Sequence, residues 1–434
     1  MSTTLFTNCT LFAEPYGNVI RNAYLLVKGN TIAETGPMAD LAFPEDAKVV
    51  DASGKLLMPG LINGHNHCAM TLFRGLADDL GLNDWLHGHI FPAEARYANP
   101  EMVYWCTRLA AAEMILSGTT CVADAYFFSG SSAQALADCG MRAVIGHGIV
   151  DFPVPSVPDP KKNIETVASF IAEWQDRHPL ITPAVFAHTP YTCSPATLRK
   201  AKELADRTNV RFFTHLAEGR QEIEMIIAPQ GTSPVRHLAA LDLLGQNTVC
   251  VHSVWLDDQD LDLLEESGTS VVTCPQSNLK LASGIARIEE MRQRNIVVGL
   301  GTDGCASNNS LDMFKEMDML AKIQKVERND ATAMPAQSVL QCATTGNASL
   351  LHLPLLGRLQ PGYKADLIVL DLATPHLTPF YNPDLLVYAA SGADVHTVMI
   401  DGRIILENRK ILSFDLQETM TRIAELTQTI RQTN

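Results

Sequence analysis

The sequence predicts an α/β protein: a (β/α)8 TIM-type barrel with a small β-sandwich domain built from both termini. Three observations support this prediction. Short apolar runs alternate with amphipathic stretches through the middle of the chain, polar side chains end each run, and β-branched runs with turn signals occupy both ends. A chain of 434 residues is long enough for a barrel and an accessory domain.

Both ends of the chain carry the pattern of antiparallel hairpins. The first part contains YLLVKGNTIAETG and AKVVDASGKLLMPG, and the tail contains GYKADLIVLDL and HTVMIDGRIILENRKIL. Short β-branched runs separated by Gly, Asn and Asp are typical of strands joined by tight turns. We therefore predict a composite β-sandwich from residues 1–58 and 360–434, with the barrel at residues 59–359.

The middle of the chain alternates apolar runs with stretches such as SPATLRKAKELADRT, which indicates βα units around a parallel sheet. In chain order the runs are LMPGLINGHNH, TTCVADAY, MRAVIGHGIVD, ITPAVFAHTPYT, VRFFTHLAE, NTVCVHSVWLD, TSVVTCPQSN and NIVVGLGTDG. Polar residues end each run, and a (β/α)8 barrel collects its active site at that end of its strands. An open doubly wound sheet would concentrate its chemistry at one switch point instead.

The first run ends in a pair of histidines, His65 and His67. Residues two apart in a strand point to the same face, so both imidazoles are expected to project into the mouth of the barrel. His215 and Asp303 end two other runs. A catalytic zinc site takes about three protein ligands and keeps an open position for water. These four residues would supply such a site.

Two further residues accompany the predicted ligands. Glu218 follows three residues after His215, so it can reach over the ion without binding it, and a carboxyl group there suits proton transfer. His252 ends the sixth run and is expected at the same rim of the barrel.

Several motifs make the chain similar to the amidohydrolase superfamily: the His-x-His after the first run, the later single histidines and GTDG. The motifs HNHCAMTLFRGLADDLGLNDWL, FPAEA, AHTPYTCSP, HLAE, CPQSNLKLASGIA and GTDGCASNNSLDMFKEMD narrow the resemblance to the 5′-methylthioadenosine/S-adenosylhomocysteine deaminases. This resemblance implies a deaminase that converts the adenine of 5′-methylthioadenosine, adenosine or S-adenosylhomocysteine to hypoxanthine and releases ammonia. It also implies one zinc ion per chain, with another divalent metal as the alternative.

The resemblance also implies a role for each site residue. His65, His67, His215 and Asp303 would bind the metal. Glu218 would protonate N1 of the adenine and assist ammonia departure, Asp303 would take the proton of the metal-bound water, and His252 would hold the resulting hydroxide. Glu218 and Asp303 would thereby also contact the substrate. By the same resemblance, the ribose hydroxyls would meet Glu94 of FPAEA, and the nucleoside would face His188 of AHTPYTCS.

One position departs from the resemblance. Relatives that accept S-adenosylhomocysteine place an arginine after the third strand, where it binds the amino-acid carboxylate, and here His147 occupies the equivalent place. Arg142, Lys161 and Lys162 are near in sequence, but a lysine does not reproduce a bidentate guanidinium. We predict that His147 contacts the substrate and that methylthioadenosine or adenosine is preferred over S-adenosylhomocysteine.

Two other functions stay open at this stage. The first is another aminohydrolase or chlorohydrolase of the same fold, acting on guanine, cytosine or a triazine. Glu218 favours deamination over this alternative, and Glu94 favours a nucleoside over a free base. The second is a non-catalytic scaffold, which would not need every ligand position filled. The GLGTDG run also reads as Gly-x-Gly-x-x-Gly, but Asp303 interrupts it and CASNNS follows, which argues against a dinucleotide site.

The composition restricts the partners and the compartment. A formal net charge of −15 at pH 7 argues against nucleic acid or an anionic membrane as a partner. The sequence shows no signal-peptide pattern, no apolar stretch as long as a membrane span and no Cys-x-x-Cys among its ten cysteines. We predict a cytoplasmic enzyme with reduced thiols and a small-molecule nucleoside substrate. The resemblance is also compatible with a homo-oligomer.

Overall fold

The computed structural model describes residues 2–431, which form two sheets and the helices around them. The strands are β1 (Thr3–Phe12), β2 (Val19–Lys28), β3 (Thr31–Pro37), β4 (Lys48–Asp51), β5 (Lys55–Pro59), β6 (Leu61–Asn66), β7 (Thr119–Tyr126), β8 (Arg142–Ile149), β9 (Ile181–Ala187), β10 (Phe212–Leu216), β11 (Thr248–His252), β12 (Ser270–Thr273), β13 (Val298–Leu300), β14 (Leu367–Asp371), β15 (Val395–Ile400), β16 (Arg403–Glu407) and β17 (Lys410–Ile411).

The α-helices are α1 (Leu82–Trp85), α2 (Phe91–Tyr97), α3 (Pro100–Leu116), α4 (Ser129–Cys139), α5 (Asn163–Trp174), α6 (Pro195–Thr208), α7 (Arg220–Gln230), α8 (Pro234–Ala240), α9 (Asp258–Ser267), α10 (Pro275–Lys280), α11 (Ile288–Gln293), α12 (Cys305–Asn308), α13 (Met313–Arg328), α14 (Ala336–Gln341), α15 (Asn347–Leu350), α16 (Leu385–Tyr388) and α17 (Leu416–Arg431). Between residues 2 and 431, no helix has both the length and the apolar character needed to cross a membrane.

The eight predicted apolar runs each form a strand of one parallel sheet, in the order β6 to β13. The predicted barrel fold is therefore confirmed. Inside the ring, one apolar cluster includes Ile62, Val144, Phe213 and Val272, and a larger cluster lies between the strands and the helices. Both faces of these strands are buried, which explains why the runs read as continuous apolar stretches rather than as alternating ones.

The barrel closes between β6 and β13 through side-chain bonds and close packing. Nδ2 of Asn347 donates to the carbonyls of Ile62 (2.6 Å) and Leu300 (2.7 Å), one on each of the two strands. Gly301 permits the close approach, because a Cβ atom there would lie 2.8 Å from the amide nitrogen of His65. The glycines of GLGTDG thus pack the last strand against the first.

The second sheet has nine strands and combines both termini, as predicted. β5 pairs antiparallel with β14, where Met58 lies opposite Ile368, and this pairing joins the two ends of the chain. β1, β2 and β3 form the expected antiparallel hairpins. The hairpin predicted in AKVVDASGKLLMPG is wrong, since β4 and β5 each lie parallel to β1. β1 is ten residues long, which is enough to pair with both short strands in succession.

A buried ion pair connects the second sheet to the barrel. The guanidinium of Arg142, at the start of β8, donates to both carboxylate oxygens of Asp366 (2.8 and 3.0 Å) and to Asp401 (3.0 Å). Arg142 therefore lies at the end of β8 opposite to the mouth of the barrel. The last helix, α17, packs against α3 of the barrel, with Arg422 over the ring of Trp105. The boundaries predicted between the two domains stay a prediction.

Candidate active site

The four predicted metal ligands meet at the carboxyl ends of the barrel strands. His65 lies in β6 and His67 directly follows it, His215 lies in β10, and Asp303 follows β13. The first and last of these strands are neighbours at the seam of the barrel, so residues far apart in sequence come together there. All four side chains are buried or nearly so.

The donor atoms of these residues converge on one centre. Nε2 of His65 lies 3.2 Å from Nε2 of His215, and Oδ1 of Asp303 lies 3.4 Å from Nε2 of both His65 and His67. His252 joins the group, since its donor atom lies within 4.8 Å of those of His65 and His215. Ligands bonded to zinc at about 2.0–2.2 Å in a tetrahedron lie about 3.4 Å from one another. The observed separations fit a single bound ion.

Hydrogen bonds on the far side of the rings orient two of the donor atoms. Nδ1 of His67 donates to the carbonyl of Ala125 (2.6 Å), and Nδ1 of His215 donates to the carbonyl of His188 (2.9 Å). A neutral imidazole that donates from Nδ1 keeps a lone pair on Nε2. Two such lone pairs and the Asp303 carboxylate therefore face a common point, which a divalent cation satisfies. The residues fit a metal site.

Burial favours the protonation states that bind a metal. It lowers the pKa of His65 to about 4 and the pKa of His215 well below its ordinary value. Burial acts in the opposite sense on Asp303, but the hydrogen bond to His65 and the neighbouring histidines hold the pKa of that carboxyl well below its usual range. Neutral imidazoles and an ionised carboxylate are the forms that ligate metals.

Four hydrogen bonds fix the position of Asp303. Its Oδ2 accepts from the hydroxyls of Ser277 (2.7 Å) and Ser307 (2.9 Å), and its Oδ1 accepts from the amide of Gly304 (2.8 Å). Its own amide donates to the carbonyl of His65 (3.0 Å). These hydrogen bonds hold the carboxylate in the orientation needed to bind a metal ion. Hydrogen bonds to a metal-binding side chain commonly have this effect.

Glu218 and His252 lie together at the edge of this cluster. Oε2 of Glu218 is 3.6 Å from Nε2 of His252, whose Nδ1 donates to the side-chain oxygen of Asn278 (2.9 Å). Burial, followed by the negative charge of Asp303, raises the pKa of Glu218 to about 8. A carboxyl group that keeps its proton at neutral pH can act as a general acid.

A cavity of about 850 Å³, which includes the solvent-open space at its mouth, lies over these side chains. Phe186 forms part of the floor and stacks on His65, with ring centres 5.7 Å apart. The predicted site residues in its lining are His67, Glu94, His188, His215, Glu218, His252 and Asp303.

Glu94 and Trp85 give the cavity a second polar region. Glu94 lies in α2 and is 5% exposed; burial raises its pKa to about 7, and the hydroxyl of Tyr126 partly offsets that effect. Nε1 of Trp85 is buried without a hydrogen-bond partner among residues 2–431. Both groups line the cavity, where a polar ligand can satisfy them.

The structure separates His188 from His147. His188 lines the cavity, and its Nδ1 bonds to the hydroxyl of Thr192 (2.9 Å). His147 does not line the cavity. Its ring is buried on the side of β8 that faces α4, where its Nδ1 bonds to the hydroxyl of Ser129 (2.9 Å). The next residue, Gly148, faces the cavity instead. The structure therefore does not bring His147 to the place that was predicted for it.

Aromatic rings form one wall of the cavity. Phe91 and Phe152 lie with ring centres 5.8 Å apart, and Phe127 lines the same space. None of the described residues that line the cavity is a lysine or an arginine. A carboxylate on a bound ligand would therefore find no cationic partner on this wall.

Residues 56–405 match the amidohydrolase family, and this span covers most of the chain. The chain belongs to the amidohydrolase family. It is 45% identical over 430 residues to the 5-methylthioadenosine/S-adenosylhomocysteine deaminase of Syntrophobacter fumaroxidans, covering 98% of both chains. It is 42% identical over 396 residues to the 5′-deoxyadenosine deaminase of Methanothermobacter thermautotrophicus, covering 90% of this chain and 91% of the relative.

A solved structure supports the same grouping. The adenosine deaminase of Xanthomonas campestris, crystallised with bound zinc, superimposes with a TM-score of 0.96 at 35% identity and covers 99% of both chains. The resemblance inferred from the sequence motifs is thus confirmed. This amidohydrolase is a hydrolase that acts on C–N bonds.

Several residues of the site in this amidohydrolase were not predicted from the sequence. Tyr126 ends strand β7 and lines the cavity, and no role for it was predicted from the sequence. Ser277 and Asn278 lie in CPQSN and bond to Asp303 and His252. The motif itself does not indicate these contacts. Ser307 lies in α12, and a single serine in the sequence carries no signal for a hydrogen bond to a metal ligand.

Proposed function

We propose that the chain is a metal-dependent deaminase of adenine nucleosides. Its substrates would be 5′-methylthioadenosine, adenosine or S-adenosylhomocysteine, and its products the hypoxanthine nucleoside and ammonia. Glu218 carries the proposal, because a buried carboxyl group with a pKa of about 8 lines the cavity beside a cluster of metal-binding side chains. Displacing an amine from an aromatic ring needs a proton donor of this kind. The names of the relatives support the substrate class.

The proposed cofactor is one zinc ion per chain, held by His65, His67, His215 and Asp303. The zinc in the Xanthomonas campestris adenosine deaminase and the imidazole-rich donor set both support this choice. When bound, such an ion supplies Lewis-acid chemistry and lowers the pKa of a water molecule to about 7.

The side chains of the protein itself would manage the protons. Glu218 donates to N1 of the ring, and Asp303 accepts the proton that the attacking water gives up. The C6 amine then takes that proton from Asp303 and leaves as ammonia. The proton of the new C6 hydroxyl passes to Glu218, which gives the C6 carbonyl and N1–H of hypoxanthine and restores both carboxyl groups. Nδ1 of His252 donates to Asn278, so its Nε2 can accept a hydrogen bond from the water and orient it. Each positioned acid or base of this type contributes roughly 10²–10⁴-fold to the rate.

The rest of the nucleoside would extend away from the cluster. Glu94 is a buried acceptor suited to the ribose hydroxyls. His188 lines the same cavity, with its ring centre 5.1 Å from that of His215. At the aromatic wall, a zwitterionic 5′ substituent would lose hydration without gaining an ion pair, which is costly. We therefore propose a preference for methylthioadenosine or adenosine over S-adenosylhomocysteine.

A substrate panel tests this function. The purified protein, supplied with zinc, is assayed with adenosine, methylthioadenosine, S-adenosylhomocysteine, guanine and cytosine. The readouts are the absorbance change at the adenine band and ammonia release. We expect turnover of the adenine nucleosides, with the highest kcat/KM for methylthioadenosine or adenosine. Turnover of a free base alone would contradict the substrate class, and no turnover of any compound would contradict the function.

We also propose the cytoplasm as the compartment. All ten cysteines of the chain are buried and unpaired. Free thiols persist most readily where the environment is reducing.

A further inference from the structure

The chain makes an unusual bend immediately before Glu218. Ala217 follows the end of β10 and has a φ of 50°, in the left-handed region that is unfavourable for residues other than glycine. This bend carries the chain out of the barrel strand, and Glu218 is the next residue. The direction of the Glu218 side chain therefore depends on what holds the bend in place.

One carboxylate binds both amides of the bend. Oε1 of Glu222 accepts from the amide of Ala217 (2.8 Å), and Oε2 accepts from the amide of Glu218 (2.9 Å). Glu222 is 4% exposed and lies in the first turn of α7, where its own amide donates to the carbonyl of Gly219 (3.1 Å). A carboxylate that accepts hydrogen bonds from two backbone amides forms strong, directional interactions.

The opposite side of the same bend is bound to the next strand end. The carbonyl of Ala217 accepts from the amides of Val254 (3.1 Å) and Trp255 (3.0 Å), which directly follow the turn after β11. His252, at the end of β11, also has a positive φ of 71°. The backbone after β11 thus holds the carbonyl side of the bend, and Glu222 holds its amide side.

We propose that Glu222 is a positioning residue that fixes the backbone of Glu218, so that its carboxyl group lies beside His252 and faces the ring of the bound substrate. This inference rests on the proposed function and extends it to a residue outside the reacting groups. Replacing one Glu222 oxygen by an amide NH2 would set a donor against a backbone donor, and the bend would lose a partner. The acid would then be misplaced, while the contacts of the sugar and of the 5′ substituent would be unchanged.

The test is a double-mutant cycle on the zinc-loaded full chain. We expect Glu222→Gln to lower kcat by about ten-fold or more, with KM within about two-fold of wild type and metal content unchanged. In a Glu218→Gln background the same substitution should cost less than about two-fold, because both changes remove one function. A purely structural role would give the same loss in both backgrounds.

Ser194→Ala is the matched control. Ser194 caps α6 by accepting from the amide of Thr197 (3.3 Å), which is the same kind of bond, and it does not line the cavity. We expect this variant to keep kcat. If Glu222→Gln does not fold, Glu222→Asp replaces it: the carboxylate is retained but shortened, and kcat should fall at least about three-fold at constant KM.

The outcomes separate the two proposals. If Glu218→Gln loses turnover but the Glu222 variants keep wild-type kcat, the positioning role is overturned and the proposed function stands. Equal losses from Glu222→Gln in both backgrounds also overturn the positioning role. If Glu218→Gln itself keeps full turnover, the role of Glu218 in the proposed function is wrong and the positioning role falls with it.

Discussion

Oε2 of Glu218 lies 3.6 Å from Nε2 of His252, at the ends of two neighbouring strands of the barrel. Both strands leave the sheet through residues with positive φ, at Ala217 and at His252. Backbone of this kind costs free energy and persists where the surrounding structure holds it, which is frequently the case at functional sites. The pair therefore marks the place where replacement of a side chain should affect chemistry more than stability.

Replacing the proton donor tests this directly. Glu218→Gln keeps the size of the side chain and removes its proton, so we expect kcat to fall by at least about 10²-fold. Glu218 is not one of the proposed ligands, so metal content measured by elemental analysis should stay at the wild-type value. Near-normal kcat in a metal-loaded variant would exclude a proton-donor role.

Removing the metal should abolish turnover and lower stability together. The ligands are buried with their lone pairs facing one another, so binding an ion stabilises the folded state, by about 2.7 kcal/mol when the free ion is at 100 times its Kd. We expect a chelator to eliminate activity and lower the Tm, and added zinc to restore both. A chelated protein with full activity would contradict the metal site, and His65→Ala provides a variant that should not respond to zinc.

The sequence could predict the barrel and the ligand set because both depend on local pattern. The His-x-His spacing places His65 and His67 at one strand end, and each of the other ligands follows its own apolar run. The pairing of β4 and β5 with β1 was not predictable, because a turn pattern does not reveal whether its two strands pair with each other or with a third one.

His147 was misplaced for a different physical reason. Barrel strands are buried on both faces, so apolar periodicity does not say which residues point inward. In β8 the cavity side holds Gly148, while His147 faces Ser129. Trp85 and Glu94, in contrast, come from the segment between β6 and α3, whose position over the cavity depends on tertiary packing.

The ion pair between Arg142 and Asp366 should contribute to stability and not to catalysis. Both side chains are buried, and removing one partner of a buried pair typically costs about 3–5 kcal/mol because the other charge is left unpaired. We expect Arg142→Met to lower the free energy of unfolding by this amount in a denaturant titration, with kcat and KM of the folded protein unchanged.

Two comparisons sharpen that result. Asp366→Asn combined with Arg142→Met should recover part of the loss, since no charge then stays unpaired. Arg177→Ala, which removes an exposed pair with Glu173, should change stability by less than about 1 kcal/mol. A large change in KM for Arg142→Met would contradict its placement away from the site.

His147 should make stability depend on pH. Burial lowers its pKa to about 4 in the folded state, whereas an unfolded chain has the ordinary value near 6.5. The unfolded state therefore binds the proton first, and the stability that the neutral ring provides is present above about pH 6.5 and is lost as the pH falls towards 4. The shift corresponds to about 3 kcal/mol.

The measurement is the free energy of unfolding from pH 7 to pH 4 for wild type and His147→Asn. We expect a shallower decline in the variant, because an amide can bond to Ser129 without taking up a proton. The exposed His89 is the control position, and His89→Asn should keep the wild-type slope. Identical slopes for all three proteins would show that His147 does not titrate on unfolding.

The aromatic wall should determine which 5′ substituents are accepted. Phe152 is 36% exposed and lines the cavity, so an arginine there can reach a bound carboxylate without being buried. We expect Phe152→Arg to raise kcat/KM for S-adenosylhomocysteine relative to methylthioadenosine by about 5- to 10-fold, the effect of an ion pair worth about 1 kcal/mol.

Phe152→Gln, which is polar but uncharged, should give no such gain. Added salt should reduce the gain of the arginine variant, because the ion pair is partly exposed. His147→Arg should also give none, since that side chain points towards Ser129 and away from the cavity. An equal gain in the glutamine variant would mean that space or polarity, and not the missing cation, limits the larger substrate.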